Sequence, residues 1–170
     1  YPHLYEKMKS IPEDGLPTEG GLPSGGEGPL EVVMAKNGLP TLRASAGAGG
    51  QVFLHSSYDP LAEARKLLAS SDYSHMSYII VLGLGLGYHL AELLELAGEG
   101  PTILVVEGST PVFRAALKNI DLGKVLGSDR ITLSVGESPE EVYARWNLVF
   151  QFTGVKGVEI VELPALIKLY

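Results

Sequence analysis

Three glycines and one acid are the residues of this sequence best placed to do chemistry. In Ile79-Ile80-Val81-Leu82-Gly83-Leu84-Gly85-Leu86-Gly87-Tyr88-His89 an apolar run turns at Gly83 into a helical pattern. Glycine permits so tight a turn and leaves its backbone N–H groups open to a neighbour, and the first N–H groups of a helix have no partner inside it. Such a turn aims the positive end of the helix dipole at an anionic or ribose-bearing ligand. A second apolar run, Ile103–Val106, ends in Glu107. If the two runs are neighbouring strands, that carboxylate emerges beside the turn, where an acid commonly takes two ribose hydroxyls. Gly83, Gly85, Gly87, His89 and Glu107 are thus the candidate site for a nucleotide, a nucleotide sugar or S-adenosylmethionine. Glu107 would repel a bare phosphate, so a nucleoside-type or zwitterionic ligand fits better. A bulky residue at Gly85 is expected to abolish binding and leave the fold.

The spacing sets limits. It is G-x-G-x-G, whereas a dinucleotide fingerprint wants its third glycine where Tyr88 stands, which weakens an NAD or FAD reading. With its strand-end acid the pattern resembles class I S-adenosylmethionine-dependent methyltransferases. Two readings stay open: a ligand pocket, or glycines that only allow close helix–strand packing with Glu107 as a solvated acid. His89, in the first helical turn, could touch a bound phosphate or sugar, or serve as a polar cap. His3, His55, His75 and His89 show no i,i+3 or i,i+4 pairing, so a zinc site is unsupported. Asp59 before Pro60 reads as a helix cap. Trp146, on one stripe with Val142 and Val149, reads as core.

The elements that must position these residues follow from periodicity and punctuation. Tyr78–Leu82, Thr102–Val106, Arg130–Ser134 and Val158–Glu162 read as buried strands. Helices are expected over Gly87–Ala97, Pro111–Ile120 and Pro139–Phe152. Strand–helix alternation with short loops implies parallel βαβ units with right-handed crossovers and helices on both faces. The expected fold is α/β, a Rossmann-like parallel sheet flanked by helices. Ahead of it, Glu31–Ala35 and Pro40–Ala44 flank Lys36-Asn37-Gly38, a hairpin signal that in its type I′ form puts Asn37 and Gly38 at positive φ. Gln51–His55 reads as a short strand and Leu61–Ser70 as an amphipathic helix. The resulting organisation is a loop-rich lead-in over 1–30, a hairpin, strand and helix over 31–76, and the βαβ region over 77–170, the last two as one unit.

Composition excludes several classes of function. The 170 residues are 45% hydrophobic, with 21 glycines and 11 prolines, enough for one core and a loop-rich first third. A formal charge of −7, with the 13 basic residues scattered, disfavours nucleic acid, which calls for a basic stripe. No apolar run approaches the ~18 residues of a membrane span. The absence of cysteine removes disulfides and thiolate sites, and a cytoplasmic setting is the simplest expectation. The chain starts at Tyr1 without a methionine and stops at Leu169-Tyr170 as an apolar helical pattern begins, so it is expected to be a piece of a longer protein.

Several runs in register carry a more specific signal: Ala35-Lys36-Asn37-Gly38-Leu39-Pro40-Thr41-Leu42, Leu54-His55-Ser56-Ser57-Tyr58-Asp59-Pro60, Glu63-Ala64, and Gly83-Leu84-Gly85-Leu86-Gly87-Tyr88-His89-Leu90. Together with Val106-Glu107, Val112-Phe113, Asp121-Leu122 and Asp129-Arg130-Ile131, they resemble the N-terminal domain of motility accessory factor-like proteins. The resemblance covers Glu31 to Leu163, while Gly15–Pro29 departs from the more ordered lead-in of that family. It implies a bacterial protein related to flagellin glycosylation, with flagellin as a partner of the whole protein. In that family sugar transfer is attributed to a central domain similar to archaeal 6-hydroxymethylpterin diphosphokinase, which would lie beyond Tyr170. This chain would then be an accessory domain without the catalytic part. The alternative is a methyltransferase-like domain using S-adenosylmethionine in the same pocket.

Overall fold

The computed structural model describes residues 30–46, 50–150 and 154–167. The glycine- and proline-rich lead-in of the first 29 residues lies outside them. The first described elements are three short antiparallel strands, β1 (Glu31–Met34), β2 (Pro40–Ala46) and β3 (Gly50–Phe53), in the order β1-β2-β3. The expected hairpin is present, with Met34 opposite Pro40. Its turn is not the two-residue type I′ form. Ala35 N–H donates to Leu39 C=O at 2.7 Å and Gly38 N–H to Ala35 C=O at 2.9 Å, leaving a three-residue loop with Gly38 at φ 84°. That is the loop in which a left-handed glycine forms a bulge after the turn.

Asp59 begins α1 (Pro60–Leu68) as expected, its side chain accepting from Ala62 N–H at 3.0 Å. A proline at the first helical position costs nothing there, because that N–H has no intrahelical partner. There follow β4 (Tyr78–Leu82), α2 (Tyr88–Leu96), β5 (Thr102–Glu107), α3 (Thr110–Asn119), α4 (Gly123–Leu126), β6 (Ile131–Val135), α5 (Pro139–Asn147), β7 (Val158–Glu162) and α6 (Pro164–Ile167). The short α4 and α6 are not evident from periodicity. α5 opens on a capping box between Ser138 and Glu141, yet stops well short of Phe152. The N–H groups of Leu148 and Val149 reach back only three residues, to Arg145 and Trp146, which tightens and ends the helix. Trp146 is half-buried and its indole nitrogen lacks a partner among the described residues.

Strands β4 to β7 form one wholly parallel sheet in the order β6-β5-β4-β7, with β4 and β5 adjacent from Tyr78 opposite Thr102 to Leu82 opposite Val106. The chain steps outward from β4 through β5 to β6, then crosses back to place β7 on the other side of β4. That reversal makes the sheet Rossmann-like and puts its topological switch point between β4 and β7. Ile79, Val81, Ile103, Val105 and Leu133 form the centre of a core that also takes in Leu42 and Leu54 from the antiparallel region and Leu90 and Leu93 from α2. On the β4–β7 pair, Leu82, Val158 and Ile160 are exposed. Among the described residues no helix is long and apolar enough to cross a membrane.

Candidate functional site

β4 hands the chain to α2 through a turn in which Gly83, Gly85 and Gly87 all have positive φ, at 98°, 53° and 84°. Parallel pairing brings the end of β5 beside it, so Glu107 does meet the turn. It arrives with no exposure at all. One carboxylate oxygen accepts the N–H groups of Leu84 and Gly85, each at 3.0 Å. The other accepts Ser109 N–H at 2.8 Å. Glu107 is therefore not a solvated acid, and the oxygens expected to meet ribose hydroxyls already lie on backbone amides. Burial pushes its pKa above the ordinary carboxylate range, against the opposing pull of the three amides.

The remaining amides of the turn are also engaged. Leu86 N–H donates to His55 Nε2 at 2.7 Å, and Gly87 N–H to Leu84 C=O at 2.8 Å. Of the four amides from Leu86 to His89, where the turn enters α2, these two are taken. Residues 83–90 are buried throughout. The space a side chain on Gly85 would need holds protein: an added Cβ would stand 2.5 Å from His55 Nε2 and 2.9 Å from Leu163 Cδ2. At Gly87 the same atom would meet Leu122 Cδ2 at 2.7 Å. A bulky residue at Gly85 cannot leave the fold untouched, because it strikes the imidazole that holds Leu86.

His89 folds back over the turn, its Nε2 lying 3.0 Å from Gly83 C=O. A carbonyl only accepts, so Nε2 carries the proton and Nδ1 is a bare acceptor. That Nδ1 is buried without a hydrogen-bond partner among the described residues. His55 has the opposite tautomer, since Nε2 accepts an amide and the proton falls on Nδ1. Burial holds both rings neutral, lowering His55 to about 3, with His89 as a second cause, and His89 to about 4.

His55 is the residue that the sequence alone did not single out. It follows β3 and ties the antiparallel region to the glycine turn: its carbonyl accepts Thr41 Oγ1–H at 2.8 Å while its ring holds Leu86. The residues after it build its support. Ser56 N–H donates to Glu63, and Ser56 Oγ accepts the N–H groups of Tyr58 and Asp59. Tyr88 O–H closes the far side on Pro40 C=O at 2.8 Å. The signal lay in the run Leu54–Pro60, which carries the family resemblance together with the glycine run.

The family profile described as the glycosyltransferase Maf N-terminal domain matches residues 37–159. No curated protein matches the sequence. Among solved structures, the chain is similar to spermidine synthase from Thermotoga maritima, at 15% identity and a TM-score of 0.44, covering 77% of this chain and 45% of that one. It is also similar to Aeropyrum pernix fibrillarin in complex with natively bound S-adenosyl-L-methionine, at 16% identity and a TM-score of 0.38, covering 78% and 66%. A third similar structure, protein-L-isoaspartate O-methyltransferase, gives 17% identity and a TM-score of 0.37 over 76% and 38%.

Proposed function

The chain belongs to the glycosyltransferase Maf N-terminal domain family, and we propose that it is an accessory Rossmann-like domain of a bacterial, cytoplasmic protein concerned with flagellin glycosylation. Sugar transfer then belongs to another part of that protein, and flagellin is a partner of the whole rather than of this domain. The observation behind this reading is Glu107 on the amides of Leu84 and Gly85. A nucleotide phosphate at a strand-to-helix turn needs those N–H groups free. Here the protein's own carboxylate stands in the place of the anion, so the donor nucleotide sugar is bound elsewhere. Gly83, Gly85, Gly87 and Glu107 serve as a brace at the strand–helix junction, and 31–76 works as one unit with 77–170 through His55.

Thermal unfolding in the presence of S-adenosylmethionine and of UDP-N-acetylglucosamine, followed with amide NMR, tests the proposal. The expected result is an unmoved melting temperature and unmoved Leu84 and Gly85 signals. A ligand at ~100 times its dissociation constant would add about 2.7 kcal/mol. Such stabilisation, with the Leu84 and Gly85 amides shifting, would restore the turn as a nucleoside site and replace the accessory reading.

A further inference from the structure

The topological switch point between β4 and β7 is where open parallel sheets hold ligands. A cleft of about 340 Å³ opens there, near the lower end of the ~300–1,000 Å³ typical of small-molecule sites. Ala64 and Leu67 of α1 wall it on one side, Leu163 and Pro164 after β7 on the other, and His55 and His89 also line it. His89 is 1% exposed and His55 3%. A buried acceptor with no partner costs free energy unless something donates to it. Among the described residues His89 Nδ1 is such an acceptor, on a side chain that lines the cleft.

We propose that this cleft binds a neutral, partly apolar small molecule that donates an N–H or O–H hydrogen bond to His89 Nδ1. The neighbouring ring supplies the complement. His55 Nδ1–H is a donor, and the nearest carboxylate oxygen, Glu63 Oε2, stands 3.9 Å away, beyond hydrogen-bond reach. A ligand with a donor beside an acceptor, on an apolar body of one or two rings, meets both histidines and the aliphatic walls together. Neutrality follows from the lining: both imidazoles are uncharged, and Glu63 and Lys66, which also border the cleft, carry opposite charges. The site is separate from the glycine turn, whose amides it does not use.

The probe is 2-pyridone, a single neutral ring with an N–H beside a carbonyl, paired with N-methyl-2-pyridone, which keeps the ring and carbonyl and lacks the donor. Histidine side-chain ¹⁵N spectra of the full chain at pH 7 should first show His89 protonated at Nε2 and bare at Nδ1. Titration with 2-pyridone should then move the His89 Nδ1 resonance. N-methyl-2-pyridone should bind roughly tenfold more weakly, the share of one hydrogen bond. Leu67→Trp, which fills the cleft from α1, should remove the response while melting normally; if that variant does not fold, the methylated probe still decides. A proton found on His89 Nδ1, equal responses to the two pyridones, or no response to either would overturn the proposal. Movement of the Leu84 and Gly85 amides without His89 would place any ligand in the turn and overturn it as well.

Discussion

The carboxyl end of β4 has two flanks, and the protein treats them differently. On the β5 flank Glu107 places its carboxylate on three backbone amides, those of Leu84, Gly85 and Ser109. On the β7 flank two neutral histidines border a cleft and one ring nitrogen has no partner among the described residues. Both flanks share the same glycine turn. The difference teaches that a nucleotide-like motif marks a place where the backbone can meet an anion, and that the anion can be the protein's own. Gly85 is the wall between them: its N–H faces Glu107, and the space where its side chain would stand faces His55 and Leu163.

Breaking that wall should have the largest effect. Gly85→Val puts a β-branched residue at φ 53° and drives it into His55 Nε2. Left-handed strain and overpacking each cost of order 1–3 kcal/mol, so a loss of roughly 4 kcal/mol is expected in urea unfolding. A loss under ~1 kcal/mol would mean that the turn is roomier than described.

Removing the internal anion comes next. Glu107→Ala strips the acceptor from the N–H groups of Leu84, Gly85 and Ser109. At about 1 kcal/mol for each donor left unpaired, the low end of the usual cost, the variant should lose roughly 3 kcal/mol. The contrast with the notion of a ligand-binding acid is direct: a residue kept for a ligand would lose affinity on substitution and little stability.

The β7 flank is addressed by pH. Both histidines have folded-state pKa values depressed from 6.5, to about 3 for His55 and about 4 for His89. The unfolded chain therefore binds the protons first as pH falls. Stability held by the neutral rings is complete above pH ~6.5 and is lost as pH drops toward those folded values, by about 1.4 kcal/mol per pH unit for each ring. Glu107 acts with the opposite sign, since its raised pKa lets stability fall as pH rises through the folded value. Urea midpoints at pH 7, 6 and 5 measure the sum, and His89→Asn should remove about half of the histidine slope. An unchanged slope would mean that His89 is already open to protons.

Much of this was readable from the residues because it is local. Tyr78–Leu82 and Val158–Glu162 are strands over the expected residues, and Asp59 caps a helix as its place before Pro60 implies. Parallel pairing of β4 with β5, and hence the meeting of Glu107 with the glycines, follows from strand–helix alternation. What the pattern could not show is which partner Glu107 prefers on arrival, since a carboxylate beside a glycine turn accepts ribose hydroxyls or amides equally well by type. The contact of His55 with Leu86 spans 31 residues and leaves no periodicity. The hairpin loop departs from the type I′ form for a related reason: Asn-Gly permits a two-residue turn, and the pairing of Ala35 with Leu39 makes it three.

Amide hydrogen exchange at Leu84 and Gly85 tests most directly whether the turn is closed from within. With Glu107 holding both N–H groups inside the core, they should exchange as slowly as Ile80 and Val81 in the middle of β4, and become fast in Glu107→Ala under conditions where that variant remains folded. Exchange at the rate of an open loop in the native chain, unaffected by loss of the carboxylate, would contradict the account.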